Sequence, residues 1–444
     1  MKNLSAGPRA NGTAGAVEAA RLARAASRKL ALLPVEKRNH ALRLAAQRLE
    51  ENEGQIVAAN IQDLRAAEPL ARAGKISAAM LARLRVTEKS VAEMAEKVRS
   101  VERLPDPLGR KLSVMELDEG LVLTKETCSL GVVAVVFESR PDVVPQVASL
   151  ALKSGNAILL KGGSEAALTN EALMSVWNEA LRECGLPQPA AQLLYSRSDV
   201  LDLLSLDRDV DLLIPRGGKE FVRAISRQSR IPVLGHGEGI CHVYIHSAAD
   251  PEKAERIVLD AKIDYPAACN AAETLLVDAA AAGWFLPQMV ARLRAAGVEV
   301  RGCERTRAIL PPTEVAAASE SDWATEYGDL ILSVKVVDGL DAAIAHIQAY
   351  GSSHTEAIVT EEPAAAERFL NEIDAAGVYH NASTRFADGY RYGLGAEVGI
   401  SNGKLHARGP MGIEGLTTYK YKLRGSGQTV ADYKGGRGFR HRPL

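Results

Sequence analysis

The sequence predicts an α/β protein built on doubly wound parallel sheets, and three features carry that expectation. Continuous apolar runs recur, at residues 131–137 and again at 156–160, as they do in parallel strands covered on both faces. Gly-bearing turns and segments of helical spacing follow such runs, so β-turn-α units repeat. The length, 444 residues, exceeds one ordinary core, so two domains are expected.

In chain order, residues 14–101 are rich in Ala, Leu, Arg and Glu. Leu42, Ala45, Ala46 and Leu49 would share one helical face, and Pro34 suits a helix start. Residues 112–127 alternate about Asp118-Glu119-Gly120 and read as a β-hairpin. Strands are expected at 131–137, 156–160, 192–195 and 211–215, with helices at 143–154, 164–184, 198–205 and 219–227. A strand at 240–245 precedes a second α/β run from about residue 250. That run has strands at 274–277, 330–337, 356–360 and 377–381, and helices at 342–349 and 363–372. The tail from Gly425 is Gly-rich and basic, and reads as a frayed, solvated terminus rather than a nucleic-acid arm. The expected division is 1–111 with 129–250 as a dinucleotide-binding domain and 251–415 as a catalytic domain. Residues 112–128 with 416–435 form a bridging element, and 436–444 a flexible tail.

Composition excludes several classes. Apolar residues make up 47%, charged residues 25%, and the formal net charge is −1, so no electrostatic case for nucleic acid or membrane arises. Five widely spaced cysteines, an odd number without a CxxC pair, suit reduced thiols in a cytoplasmic protein. The longest purely apolar run is 132–137 and the N-terminus lacks an apolar core, so neither a membrane span nor a signal peptide is expected.

Chemistry points first to Cys269. Small residues flank it in Pro266-Ala267-Ala268-Cys269-Asn270-Ala271-Ala272, so a substrate could come close, and Asn270 has amide hydrogens to offer an oxyanion. A thiolate attacks carbonyl carbon; an inert buried cysteine is the competing reading. Two Gly-rich turns follow strands, Lys161-Gly162-Gly163-Ser164 and Arg216-Gly217-Gly218-Lys219. Each sets backbone amides and a helix start where phosphates bind in open α/β sheets, although neither matches GxGxxG and a turn without a ligand fits each one as well. His236, Cys241, His242 and His246 lack an acidic partner or CxxC, so no metal is expected. The segment 235–239 reads instead as a tight loop that lets backbone approach something. Tyr379-His380-Asn381-Ala382-Ser383-Thr384-Arg385 and His406-Ala407-Arg408 put arginines among polar groups, which suits a carboxylate or phosphate, or ordinary surface loops.

Taken together, Phe137-Glu138-Ser139-Arg140-Pro141-Asp142, the Lys161 turn, residues 214–219, 233–239 and 262–274, Ser353-His354-Thr355-Glu356, and residues 379–386 and 404–419 resemble the acyl-phosphate reductases of the aldehyde dehydrogenase superfamily. The resemblance covers roughly residues 15–425. It implies an aldehyde-dehydrogenase-like fold of two doubly wound α/β domains with a small β bridging and oligomerisation element, and hence a homo-oligomer. The implied reaction is NADPH-dependent reduction of L-glutamyl 5-phosphate to the semialdehyde, with Cys269 forming a thioester.

The resemblance also implies roles. Oxyanion donors would be the Cys269 amide and a group of Ser139 or Arg140, and Asn381, Arg385, His406 and Arg408 would meet the substrate. Lys161 would contact the adenosine ribose, Gly162 would also meet the cofactor, and Ser164 would favour NADP as a neutral group where many NAD-preferring relatives carry Glu. Gly217 and Gly218 would receive the pyrophosphate, with Arg216 adding charge to this cofactor turn, and Glu326 would hold the nicotinamide ribose. Hydrolytic relatives keep a glutamate where this chain has Val233, so the thioester should escape water. Glutamate 5-kinase, the source of an unstable substrate, is the partner that the chemistry would favour. Within enzymes the alternative is a relative acting on another semialdehyde, for instance a CoA-acylating one; outside them it is a non-catalytic scaffold that keeps the fold.

Overall fold

The computed structural model describes residues 15–74, 76–235, 237–434 and 438–444; His236 of the possible metal cluster lies outside them. The chain divides into two compact units. The first is Met1–Leu234, Leu394–Gly399 and Met411–Leu444, the second Gly235–Gly393 and Ile400–Pro410.

The first unit begins with helices α1 (Ala16–Leu30), α2 (Val35–Glu51), α3 (Glu53–Arg72), α4 (Ala78–Leu84) and α5 (Glu88–Glu102). Pro34 caps α2, and Leu42, Ala45, Ala46 and Leu49 are buried on it as their spacing requires. Strands β1 (Lys111–Asp118) and β2 (Leu121–Ser129) form the hairpin, turned at Gly120, whose φ of +68° only glycine adopts without strain. Then follow β3 (Val132–Phe137), α6 (Val143–Lys153), β4 (Ala157–Lys161), α7 (Ala167–Glu183), β5 (Ala191–Leu193), α8 (Arg197–Leu203), β6 (Leu212–Arg216) and α9 (Lys219–Gln228). The helix expected from Ser164 opens as a 3-10 turn at Ser164–Ala166. These strands form a parallel sheet in the order β5-β4-β3-β6. Chain order reverses at β3, and the register sets Val136 against Lys161 and Phe137 against Arg216. The two Gly-rich turns thus leave the same edge of the sheet, at its topological switch point.

The second unit contains β7 (Cys241–Ile245), α10 (Pro251–Ile263), β8 (Ala272–Asp278), α11 (Ala279–Ala295), β9 (Glu299–Gly302), α12 (Glu304–Ile309), β10 (Ala316–Ala317), β11 (Ile331–Val337), α13 (Gly339–Tyr350), β12 (Thr355–Val359), α14 (Pro363–Glu372) and β13 (Gly377–His380). All pair in parallel, in the order β10-β9-β11-β8-β7-β12-β13. Strand β7 falls before the division expected at residue 250, and its pairing with β8 and β12 puts it in this unit. Pro287 interrupts the local helical pattern of α11, yet the helix continues through it and buries Phe285, Leu286, Met289 and Leu293 against the sheet. A short hairpin, β14 (Ile400–Ser401) with β15 (Gly409–Pro410), completes the unit.

The chain then returns to the first unit. Strand β16 (Thr417–Arg424) pairs with β2, and β17 (Arg442–Pro443) with β1, giving the order β16-β2-β1-β17. The last residues were expected to fray; instead Arg440 N–H donates to Leu117 O at 2.8 Å, and Arg440 and Arg442 pair with Asp118 and Glu116. The acidic edge of β1 gives the basic end a partner. No helix among the described residues is long and apolar enough to cross a membrane.

Candidate active site

In the second unit, α10 ends at Ile263 and the chain makes two tight turns before β8, with Ala268 N–H to Tyr265 O at 3.0 Å and Ala271 N–H to Ala268 O at 2.9 Å. Cys269 sits between them, half-buried. It precedes the amino end of β8, not the carboxyl edge where open α/β sheets usually hold ligands. Gly239 lies directly against it: a Cβ there would collide with the Cys269 carbonyl and come within 2.7 Å of its Cα. At Gly239, within the segment expected to let backbone come close, what is approached is the Cys269 backbone itself. Behind it, the Cys241 thiol donates to Cys269 O at 3.3 Å, and burial, with Glu356 nearby, pushes that thiol well above its ordinary pKa.

Asn270 does not play its expected part. Its amide donates to Ala387 O at 2.8 Å and Arg385 O at 3.5 Å, and its Oδ1 accepts from Arg385, so both amide hydrogens are committed to the loop. Arg385 is buried and paired with Asp264 at 3.0 Å, which Arg391 also reaches at 3.3 Å. Burial alone would raise the Asp264 pKa, but hydrogen bonds from both arginines hold it below the usual range. Asn270, Arg385 and Asp264 together lock the thiol loop. Asn381 is also committed elsewhere, bonding the Thr360 backbone through both N–H and C=O at 3.0 Å. It follows β13 at its carboxyl end, whereas Cys269 precedes β8 at its amino end. Arg408 ion-pairs with Asp374 at 2.7 Å, and His406 is exposed on the β14–β15 hairpin with φ +67°. Glu326 is half-buried in the loop before β11. His242 and His246 bond Glu356 and Thr360 at 2.8 and 2.9 Å.

In the first unit the expected cofactor residues converge at one sheet edge. Gly218 caps α9, and its N–H donates to Glu138 at 3.4 Å, so this helix start already accepts an anionic oxygen, as a pyrophosphate site must. Lys161 ends β4, where burial lowers its pKa against the pull of Glu165. Ser164 is exposed beside it. Ser139, expected to reach substrate, instead donates from N and Oγ to Glu165 at 2.8 and 2.6 Å, with φ at +43°. Arg140 has no acidic partner among the described residues. Sequence reading passed over Arg197, whose charge acts on Lys161; only the fold brings the start of α8 beside the end of β4. The residues present fit a nicotinamide dinucleotide: amides at a helix start for the phosphates, and a lysine with an exposed hydroxyl for the ribose.

A parallel sheet with Gly-bearing turns at its carboxyl edge and a second sheet bearing a loop cysteine describe a thiol-dependent dehydrogenase. The chain belongs to the aldehyde dehydrogenase family, whose model matches residues 4–308, and the family uses a nicotinamide cofactor. It is 56% identical over 424 residues to gamma-glutamyl phosphate reductase of Synechococcus sp. (strain JA-3-3Ab), a span covering 95% of this chain and 93% of that protein. It is 51% identical over 418 residues to the enzyme of the same name from Haloquadratum walsbyi, covering 93% and 91%. The crystal structure of gamma-glutamyl phosphate reductase from Thermotoga maritima superposes with a TM-score of 0.89 at 40% identity, covering 94% of this chain and 100% of that one.

Proposed function

We propose that the chain catalyses NADPH-dependent reduction of L-glutamyl 5-phosphate to L-glutamate 5-semialdehyde and phosphate, the second step from glutamate to proline. The observation that carries this is the half-buried Cys269 in a loop locked by Asn270, Arg385 and Asp264, in a chain so similar to gamma-glutamyl phosphate reductases. The Cys269 thiolate attacks the γ-acyl carbon, the C–O bond to phosphate breaks, and a thioester remains. A nicotinamide cofactor held at the Lys161 and Gly218 turns would supply the hydride that takes the thioester carbon to the thiohemiacetal level. Collapse of the thiohemiacetal on Cys269 then returns the thiol and releases the semialdehyde, which cyclises to pyrroline-5-carboxylate.

With the Asn270 amide bonded to Ala387 and Arg385, the Cys269 backbone N–H is the oxyanion donor that the family resemblance assigns on this loop. Arg140 is the available cation for an anionic group of the substrate, ahead of Arg385, which Asp264 already neutralises. Val233 cannot activate water, so phosphate is the acceptor in the reverse direction. Glutamate 5-semialdehyde with NADP⁺ therefore yields NADPH only when inorganic phosphate is present. Steady turnover without phosphate overturns the acyl-phosphate reading.

Preference for NADP rests on the exposed Ser164, on Lys161, which feels the charge of Arg197, and on Glu165, whose carboxylate is held by Ser139. A glutamate at Ser164 adds repulsion towards a 2′-phosphate. Ser164→Glu raises KM for NADP⁺ about tenfold or more while that for NAD⁺ changes little; equal shifts for both cofactors would remove the assignment. The same reading places the enzyme in the cytoplasm, where its unpaired thiols stay reduced, with glutamate 5-kinase as supplier of the acyl phosphate. Exposed Tyr419, Tyr421 and Leu423 along one face of β16 support a homo-oligomer.

A further inference from the structure

Lys262 and Glu273 form an ion pair at 2.7 Å with both side chains fully buried. Burial pushes the Glu273 carboxyl up to about 7 against the pull of Lys262, and lowers the lysine in turn. A pair this dry is weak support for stability, because desolvation offsets the attraction. Its geometry points to another use. Glu273 lies four residues after Cys269, in β8, and its second oxygen accepts the Gly328 N–H at 3.1 Å. Gly328, at φ +60°, ends the Glu326-Tyr327-Gly328 turn. The other side of that turn is also fixed: the Tyr327 hydroxyl donates to Asp322 at 2.6 Å, and Arg301 donates to the same oxygen at 2.8 Å.

We infer that the Lys262–Glu273 pair is a positioning device that ties the loop bearing Glu326 to the strand bearing the thiol loop, and so sets the geometry of hydride transfer. This rests on the reading of Glu326 as the residue that holds the nicotinamide ribose. Lys262 fixes the Glu273 side chain, Glu273 fixes Gly328, and Glu326 follows the turn. A displacement of about 1 Å at a reacting centre costs about 100-fold in rate.

The test compares the intact chain with Glu273→Ala and with the volume-keeping double variant Lys262→Met/Glu273→Gln, each first checked for a cooperative melt. In Glu273→Ala, kcat of the phosphate-dependent oxidation falls about 100-fold. KM for NADP⁺ rises, and the primary deuterium isotope effect from C5-deuterated semialdehyde increases because hydride transfer has become limiting. The rate of Cys269 alkylation by iodoacetamide stays unchanged. The double variant keeps an acceptor for Gly328 but lacks the lysine that fixes it, and recovers only part of kcat. Amide exchange of the peptide spanning 324–329 accelerates most in Glu273→Ala and less in the double variant, whether or not the enzyme turns over. Unchanged exchange, or loss of thiol reactivity in step with kcat, overturns the positioning role. Accelerated exchange in a chain whose intact form shows no phosphate-dependent turnover overturns the function instead.

Discussion

Cys269→Ala lowers kcat by about 10⁴-fold or more, while the fold and cofactor binding persist. In the proposed mechanism the Cys269 sulfur is the atom that takes the acyl group, and Cys241 cannot substitute: it is fully buried and burial holds its thiol protonated. Cys128 and Cys184 are likewise raised by burial. Cys303 is the control that needs watching. Burial would raise its pKa, but hydrogen bonds from Thr306 and from backbone donors prevail and hold it below the ordinary thiol range. Peptide-resolved iodoacetamide labelling should therefore show Cys269 and Cys303 ahead of the rest, with Cys269 alone protected by semialdehyde. Full activity in Cys269→Ala, or protection of Cys303 instead, would sink the thioester mechanism.

Gly239→Val carries the second large effect. A Cβ at Gly239 meets the Cys269 carbonyl oxygen, carbon and Cα, and these are backbone atoms fixed by turns at Ala268 and Ala271, so the thiol loop has to move. Overpacking of this kind costs about 1–3 kcal/mol, and misplacement of the nucleophile lowers kcat by about 100-fold. Gly237→Ala is the matched control, because a Cβ at Gly237 meets nothing within 4 Å. Loss of activity in Gly239→Val with Gly237→Ala near normal, read beside melting temperatures and Cys269 alkylation rates, identifies close approach as the cause. Equal activity in both variants would show that the contact is dispensable.

Much of this molecule is readable from local pattern. The apolar runs at β3, β4 and β7 and the alternation of the β1–β2 hairpin report burial on two faces or one, which is a property of each segment's own side chains. Cys269 and the turns at Gly162 and Gly217 are legible for the same reason: small residues at a strand end mark a place where something comes close. Gly239 is legible as a place of close approach, but what it approaches is not. Helix α11 was missed because Pro287 breaks the local signal while its packing on the sheet overrides it.

Hydrogen-bond partners were settled only by the assembled fold. Asn270 reads as an oxyanion donor until Ala387 and Arg385, more than a hundred residues on, take both of its amide hydrogens. Ser139 reads as a substrate contact until Glu165 accepts both its donors, and Arg385 as an anion site until Asp264 pairs with it. Asn381 shares a motif with Arg385, but strand direction puts it at the carboxyl end of β13. A residue's type and neighbours determine what chemistry it offers. Which partner meets that chemistry depends on segments distant in sequence, and the buried polar groups of a packed core must find their partners there, where water no longer competes.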